Sequence, residues 1–342
     1  MRARVLAAAG GAVLLAATLS GCLTVHGERA VVPAVDKAEA RQVLKEYVRD
    51  VDKAQRTFDA DLSARVERGG LGEIEHAALR ARKAVAPDGN PDHEPLELSA
   101  PRFHIPRQAG WPKYFLVDAA AGPDSRRLLA FTREGVDEKW KAAYSARLAP
   151  GDVPEFATDA DGHALPVTGS GGSEDGDGKG DGGDGKGDGA GEGGKLLADP
   201  GELSAAYTGY LQDGRGSTFA DGPQTSERRA TRARSANRPA ARNEWADLPA
   251  SSKQYPPMGL YTEDGSALVF FTSHHQTKQT VASGYTPKVR PLVKPLLKGE
   301  PKQWLTQVFV TVQAVVVPPD DAAEDQVRFL DQRTGLVSAE GG

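Results

Sequence analysis

The sequence predicts an α+β fold of two similar domains, each a long N-terminal helix packed on a curved antiparallel sheet. Three observations lead there: a Gly/Asp-rich tract that divides the chain, an acid-capped amphipathic helix opening each half, and short strands following each helix in the same order. A length of 342 residues also suits two domains better than one.

The tract from Gly169 to Gly194 holds no apolar residue larger than alanine. It cannot bury enough surface to offset the entropy of ordering it, so it is expected to be a disordered acidic tether spanning roughly 30 Å. It separates an N-terminal domain, 34–168, from a C-terminal domain, 195–342. Asp175, Asp177, Asp181, Asp184 and Asp188 offer hard oxygen ligands, but calcium-binding repeats also need a large apolar residue in each turn. Asp159-Ala160-Asp161-Gly162 is similar to part of an EF-hand loop, yet Ala157 stands at the first ligand position and no Glu closes the loop. A plain turn is expected there.

Asp36 with Glu39 makes a capping-box start for a helix whose apolar face is Ala40, Leu44, Tyr47, Val51 and Phe58. Beyond the tract, Asp199, Pro200 and Glu202 repeat that start ahead of Leu203, Tyr207, Tyr210 and Leu211. Tyr47-Val48-Arg49-Asp50 is answered at one constant offset by Tyr210-Leu211-Gln212-Asp213. A second helical or irregular stretch follows in each half, Leu71 to Ala84 and Thr225 to Glu244. Then come a Phe-Thr strand (Arg127–Thr132 and Ala267–Thr272) and an extended run opened by Trp140 or Trp304. The second half carries an insertion rich in Pro and Lys, Ser283 to Pro301. Duplication predicts that Tyr47 matches Tyr210 and Trp140 matches Trp304, all buried where helix meets sheet.

The chemical motifs are sparse. His274 and His275 sit side by side on a strand, where neighbouring side chains face opposite ways and cannot share a metal. His93 and His104 have no acidic or thiol partner identifiable in the sequence. Cys22 is the single cysteine, so neither an internal disulfide nor a thiolate metal site can form. There is no HExxH, no G-x-G-x-x-G opening a helix and no phosphate loop; the nearest approach to a nucleophile elbow, Gly171-Gly172-Ser173, lies in the tract. Neither metal nor cofactor is expected. Arg228, Arg229, Arg232, Arg234, Arg238 and Arg242 concentrate positive charge, but no aromatic residue falls among them and the net charge is −5, which disfavours nucleic acid. The run fits a solvated, partly disordered loop, or a patch for anionic wall polymers, lipid head groups or the chain's own acidic tract.

At the N-terminus Arg2 and Arg4 precede the apolar stretch Val5 to Leu19 and then Leu19-Ser20-Gly21-Cys22. The stretch is shorter than the roughly 20 residues that cross a bilayer. This pattern resembles the bacterial lipobox, of the kind found in actinobacterial lipoproteins of uncharacterised families. The resemblance implies a signal peptide over 1–21, lipid attachment at Cys22, an anchor tether over 22–33, and residence on the extracytoplasmic face of the cell membrane. The order of helix and strands is similar to the cystatin-like and SnoaL-like architecture. SnoaL-like enzymes place an Asp or His inside the cone of sheet and helix, which would point to Asp50 and Asp213; by position alone these read as solvated or helix-end acids. The expected role is a non-catalytic binding or interaction module, with the membrane and an envelope protein or anionic wall polymer as partners. The alternatives are a SnoaL-like enzyme using general acid/base carboxylates and a purely structural envelope protein.

Overall fold

The computed structural model describes residues 30–167, 194–323 and 326–342; Cys22, the expected signal peptide over 1–21 and the tract before Gly194 lie outside the described residues. The fold is α+β. Strand β1 (Val32–Pro33) leads into α1 (Lys37–Thr57), α2 (Ala60–Ser63) and α3 (Gly69–Val85). Asp36 caps α1 as its spacing predicts, its carboxylate accepting from the amides of Ala38 and Glu39 at 2.8 Å each. Strands β2 (Ser99–His104), β3 (Arg107–Gln108), β4 (Lys113–Ala120), β5 (Arg126–Arg133) and β6 (Lys141–Leu148) follow. Of these, β2-β4-β5-β6 form an antiparallel sheet and β3 pairs with β1.

The second half begins with a 3-10 turn at Pro200–Glu202, then α4 (Leu203–Asp213) and α5 (Ser226–Ser235). Its strands are β7 (Asn237–Arg238), β8 (Ala241–Pro249), β9 (Met258–Tyr261), β10 (Ala267–Val281), β11 (Leu297–Gly299), β12 (Trp304–Val317) and β13 (Arg328–Gly341). They form a sheet ordered β11-β13-β12-β10-β8-β7, with β9 beside the start of β10. Its centre, β8-β10-β12-β13, is an antiparallel meander like that of the first sheet.

Side-chain alternation sorts the strands into layers. Phe115, Val117, Leu129 and Phe131 face α1 and pack on Ala40, Leu44, Tyr47 and Val51. Their neighbours Tyr114, Leu116, Leu128 and Ala130 face the other way and share one cluster with Leu268, Phe270, Val310, Val312 and Ala314 of the second sheet. Val269, Phe271, Val315 and Val317 then face α4, against Leu203, Tyr207 and Leu211. The layer order is helix, sheet, sheet, helix, and the middle layer belongs to both halves. Full burial of each such side chain contributes roughly 1.5–3 kcal/mol. Helix α3 of the first half lies on β12 and β13 of the second at very short range. A Cβ at Gly70 would sit 2.8 Å from Val312, and one at Gly335 would sit 2.5 Å from Ile74.

Two details depart from the sequence expectation. Tyr207, not Tyr210, makes the aromatic contact equivalent to that of Tyr47: Tyr47 meets Phe131 edge-on at 5.3 Å, and Tyr207 meets Phe271 at 6.0 Å. Leu203, Tyr207 and Leu211 of the expected face are buried, but the 3-10 turn before α4 winds tighter than an α-helix, so aligning the two caps misplaces Tyr210, which sits at the rim. Trp140 is buried, whereas Trp304 is only partly covered.

Candidate functional site

A cleft of about 400 Å³ opens between α1, α3, the α1-facing side of the first sheet and β13. Tyr47 and Val51 come from α1, Glu75 from α3, Arg127 from β5, Ser145 and Arg147 from β6, and Arg333 from β13. Glu67 enters just before α3, held against β6 because the Ala142 amide donates to Val66 O (2.8 Å) and the Arg68 amide to Ala142 O (3.0 Å).

Glu67 and Glu75 are each only 3% exposed. Glu75 accepts from the Gln55 amide at 2.8 Å and is paired with Arg333. Glu67 has no cationic partner among the described residues; it is bonded by the Tyr47 hydroxyl at 3.3 Å and by Ser63. Burial, then the charge of Glu75, pushes the Glu67 carboxyl up to about 8 against those hydrogen bonds. It therefore holds its proton at neutral pH. Burial, then Glu67, also raises the Tyr47 hydroxyl, which stays protonated.

Arg127 is the unusual member. One guanidinium nitrogen donates to Ser145 Oγ at 3.1 Å, while its buried Nε has no partner and the side chain forms no ion pair among the described residues. Burial lowers its pKa. Arg147 stands directly opposite it in the β5–β6 register, and like charges facing across a strand pair repel. The cleft thus holds a cation without a counterion, a second cation opposite, and a carboxyl able to donate. Such a set complements an anion bearing several acceptor oxygens.

The sequence candidates fall elsewhere. Asp50 pairs with Arg49 on the outer side of α1, and Asp213 ends α4, accepting from the Arg215 amide at 2.8 Å. Neither lines the cleft. His93 does have an acidic partner: its Nε2 lies 2.8 Å from Asp52 Oδ1, a carboxylate that also takes the Leu96 amide at 3.1 Å and so ties the 90–96 loop to α1. His104 packs on the Phe156 ring. The Asp159 side chain accepts from the amides of Asp161 and His163 in a turn. The arginine run is not a loop over its first half but helix α5. Arg229 donates to the last carbonyls of α4, Tyr210 O and Leu211 O, at 2.7 and 3.0 Å. Arg232 grips Asp247 at 2.6 and 2.8 Å.

That grip belongs to a second polar cluster. His275 Nδ1 lies 2.5 Å from Asp247 Oδ1, and its Nε2 lies 2.9 Å from Ser273 Oγ. The order matches a hydrolytic triad, but Ser273, His275 and Asp247 are at most 2% exposed, and the serine hydroxyl donates to the Gln313 side-chain oxygen at 2.6 Å. A nucleophile sealed in this way cannot reach a substrate, and the cluster reads as a packed polar core. His274 points to the opposite face, edge-on to Tyr255 at 5.2 Å.

Fold and cleft define an α+β protein of two facing sheets with a polar cleft open at the edge of the first. The chain belongs to the family described as Domain of unknown function (DUF8094), which matches residues 31–341 and so takes in both sheets. It is 41% identical over 336 residues to an uncharacterized lipoprotein of Streptomyces avermitilis, covering 98% of this chain and 94% of that protein. It is 43% identical over 333 residues to an uncharacterized lipoprotein of Streptomyces coelicolor, covering 96% and 93%. No solved structure gives a significant match.

Proposed function

We propose that this chain is a lipoprotein attached through Cys22 to the extracytoplasmic face of the membrane, and that it is a non-catalytic binding module for a small anionic molecule held in the Tyr47–Arg127 cleft. The lipobox and the names of the two relatives support the anchor. The shared order of helices and antiparallel meander in the two halves supports reading them as duplicated cystatin-like domains, joined by the 169–194 tract. Arg127 carries the ligand reading, because a half-buried guanidinium with its Nε unpaired and no counterion is costly, and an anion arriving there removes the cost.

Thermal unfolding against a panel of small carboxylates and phosphate esters tests it. A true ligand raises the melting temperature with concentration, and Arg127→Met abolishes that response while leaving the apo protein as stable or more so. If no anion stabilises the wild type at millimolar concentration, the cleft is not an anion site.

The raised pKa of Glu67 supports a second reading, a SnoaL-like enzyme in which Glu67 serves as general acid. Glu67→Gln separates the two, since it keeps the shape and binding of the cleft but abolishes proton transfer.

A further inference from the structure

The insertion between β10 and β12 is built as a presented surface. Val289, Val293 and Leu297, four residues apart, turn inward onto Leu305, Leu336 and Ala339, and Val293 is only 3% exposed. Fixing that stripe turns the intervening residues outward. Lys288, Arg290, Lys294 and Lys298 are all exposed, and none forms an ion pair among the described residues; Lys302 alone of the nearby cations is paired, with Glu300 at 3.2 Å. Two large apolar side chains of the same segment stand in water, Tyr285 just before these cations at 62% exposure and Leu292 among them at 46%. Beside Leu292 an apolar groove of about 520 Å³ is lined by Ala81, Leu296, Phe309 and Leu336, with Arg290 among its walls.

We propose that this face docks on an anionic lipid bilayer, with Tyr285 and Leu292 entering the interface and the four unpaired cations meeting lipid phosphates. The chain as a whole is acidic, with a net charge of −5, so a negative surface attracts it only through local clusters of unpaired cations such as this one. The patch therefore sets orientation. Cations flanking exposed aliphatic and aromatic side chains are what a membrane interface selects, because the stems and rings bury among acyl chains while the charges stay at head-group level. An anionic polymer in solution would use the cations alone and gain nothing from Tyr285 or Leu292. A lipid on Cys22 would tether the chain without orienting it, and a basic apolar face supplies the orientation.

The chain produced from Leu23 onward keeps every described residue and lacks both the export signal and the lipid. Its co-sedimentation is measured with phosphatidylcholine vesicles, with and without phosphatidylglycerol. Binding is expected only with the anionic lipid and is lost in half-molar salt. At about fivefold per cation, the combined change Lys288→Gln, Arg290→Gln, Lys294→Gln and Lys298→Gln should weaken binding about 100-fold or more. Tyr285→Ser with Leu292→Ser should weaken it about tenfold, with melting temperature unchanged because both side chains are exposed. Hydrogen exchange of the wild type should show protection confined to 283–302 on vesicles, a readout that needs no variant to fold. Equal binding by the cation variant, or protection elsewhere, overturns the proposal. If the serine variant binds as tightly as wild type and soluble polyglycerol phosphate displaces both, the face recognises a polymer and not a bilayer.

Discussion

Both helix-on-sheet units bury carboxylates, and two of these, Asp247 and Glu67, are driven in opposite directions. Asp247 of the second unit is sealed beneath α5, where burial alone would raise its pKa; the hydrogen bonds from His275 and Arg232 outweigh that and bring it to about 2. Glu67 of the first unit receives two hydroxyls and faces a second carboxylate, and it rises to about 8. Burial is common to both, so it decides nothing; the supply of cationic donors does. The same contrast runs through the surroundings. Tyr207, Phe219, Phe271 and Phe329 fill the space between α4 and its sheet with aromatic rings, whereas the apolar core under α1, with Phe115 and Phe131, gives way at one edge to the polar, open cleft around Arg127. One unit is closed on itself, and the other is left with chemistry unanswered.

The largest effect should come from the closed unit. Tyr207→Ala removes a fully buried ring and should cost about 4 kcal/mol in urea unfolding, while Tyr210→Ala, at the rim, should cost about 1 kcal/mol. Equal losses would mean that the packed face of α4 has been assigned wrongly. Because Leu116, Leu128, Leu268 and Phe270 share one layer, probes in both halves should report the Tyr207→Ala loss together.

Next in size, Asp247→Asn strips Arg232 of its buried counterion and should cost about 3 kcal/mol at neutral pH. The wild-type contribution of Asp247 is fully present above its unfolded pKa of 3.8 and is lost as pH falls toward 2. The variant should therefore lack that acid-limb loss. A variant as stable as wild type would show that the cluster contributes only shape.

Glu67 gives the smallest effect and the opposite sign. Its folded pKa is raised, so its contribution is fully present below 4.5 and is lost as pH rises through about 8. Glu67→Gln keeps the shape without the titration, and above pH 8 it should be more stable than wild type by about 1–3 kcal/mol. A variant that stays parallel to wild type from pH 5 to 9 would place the Glu67 pKa near its ordinary value and dissolve the contrast between the units.

Parts of this contrast were visible beforehand. Glu75 interrupts the buried stripe Leu71, Ile74 and Leu79 of α3, and a charge on an apolar face is a readable sign of a buried polar site. Glu67 gave no such sign, since nothing local shows that β6 and Tyr47 close over it. The arginine run misled for the same reason: Arg229 and Arg232 look like neighbours on a charged surface until α4 and Asp247 are placed against them.

By itself the sequence determined what is local: the Asp36 and Asp199 caps, the apolar stripe of α1, and the alternation in the Phe-Thr strands. These depend on a few adjacent residues and on fixed helical and strand periods. Only the tertiary structure decided which faces of the two sheets meet, which tyrosine of α4 turns inward, and that Glu67, Glu75, Arg127 and Arg333 line one cleft. The reason is physical: a charge's pKa and its need for a partner come from the surroundings that packing assembles, and here those surroundings come from segments far apart in the chain.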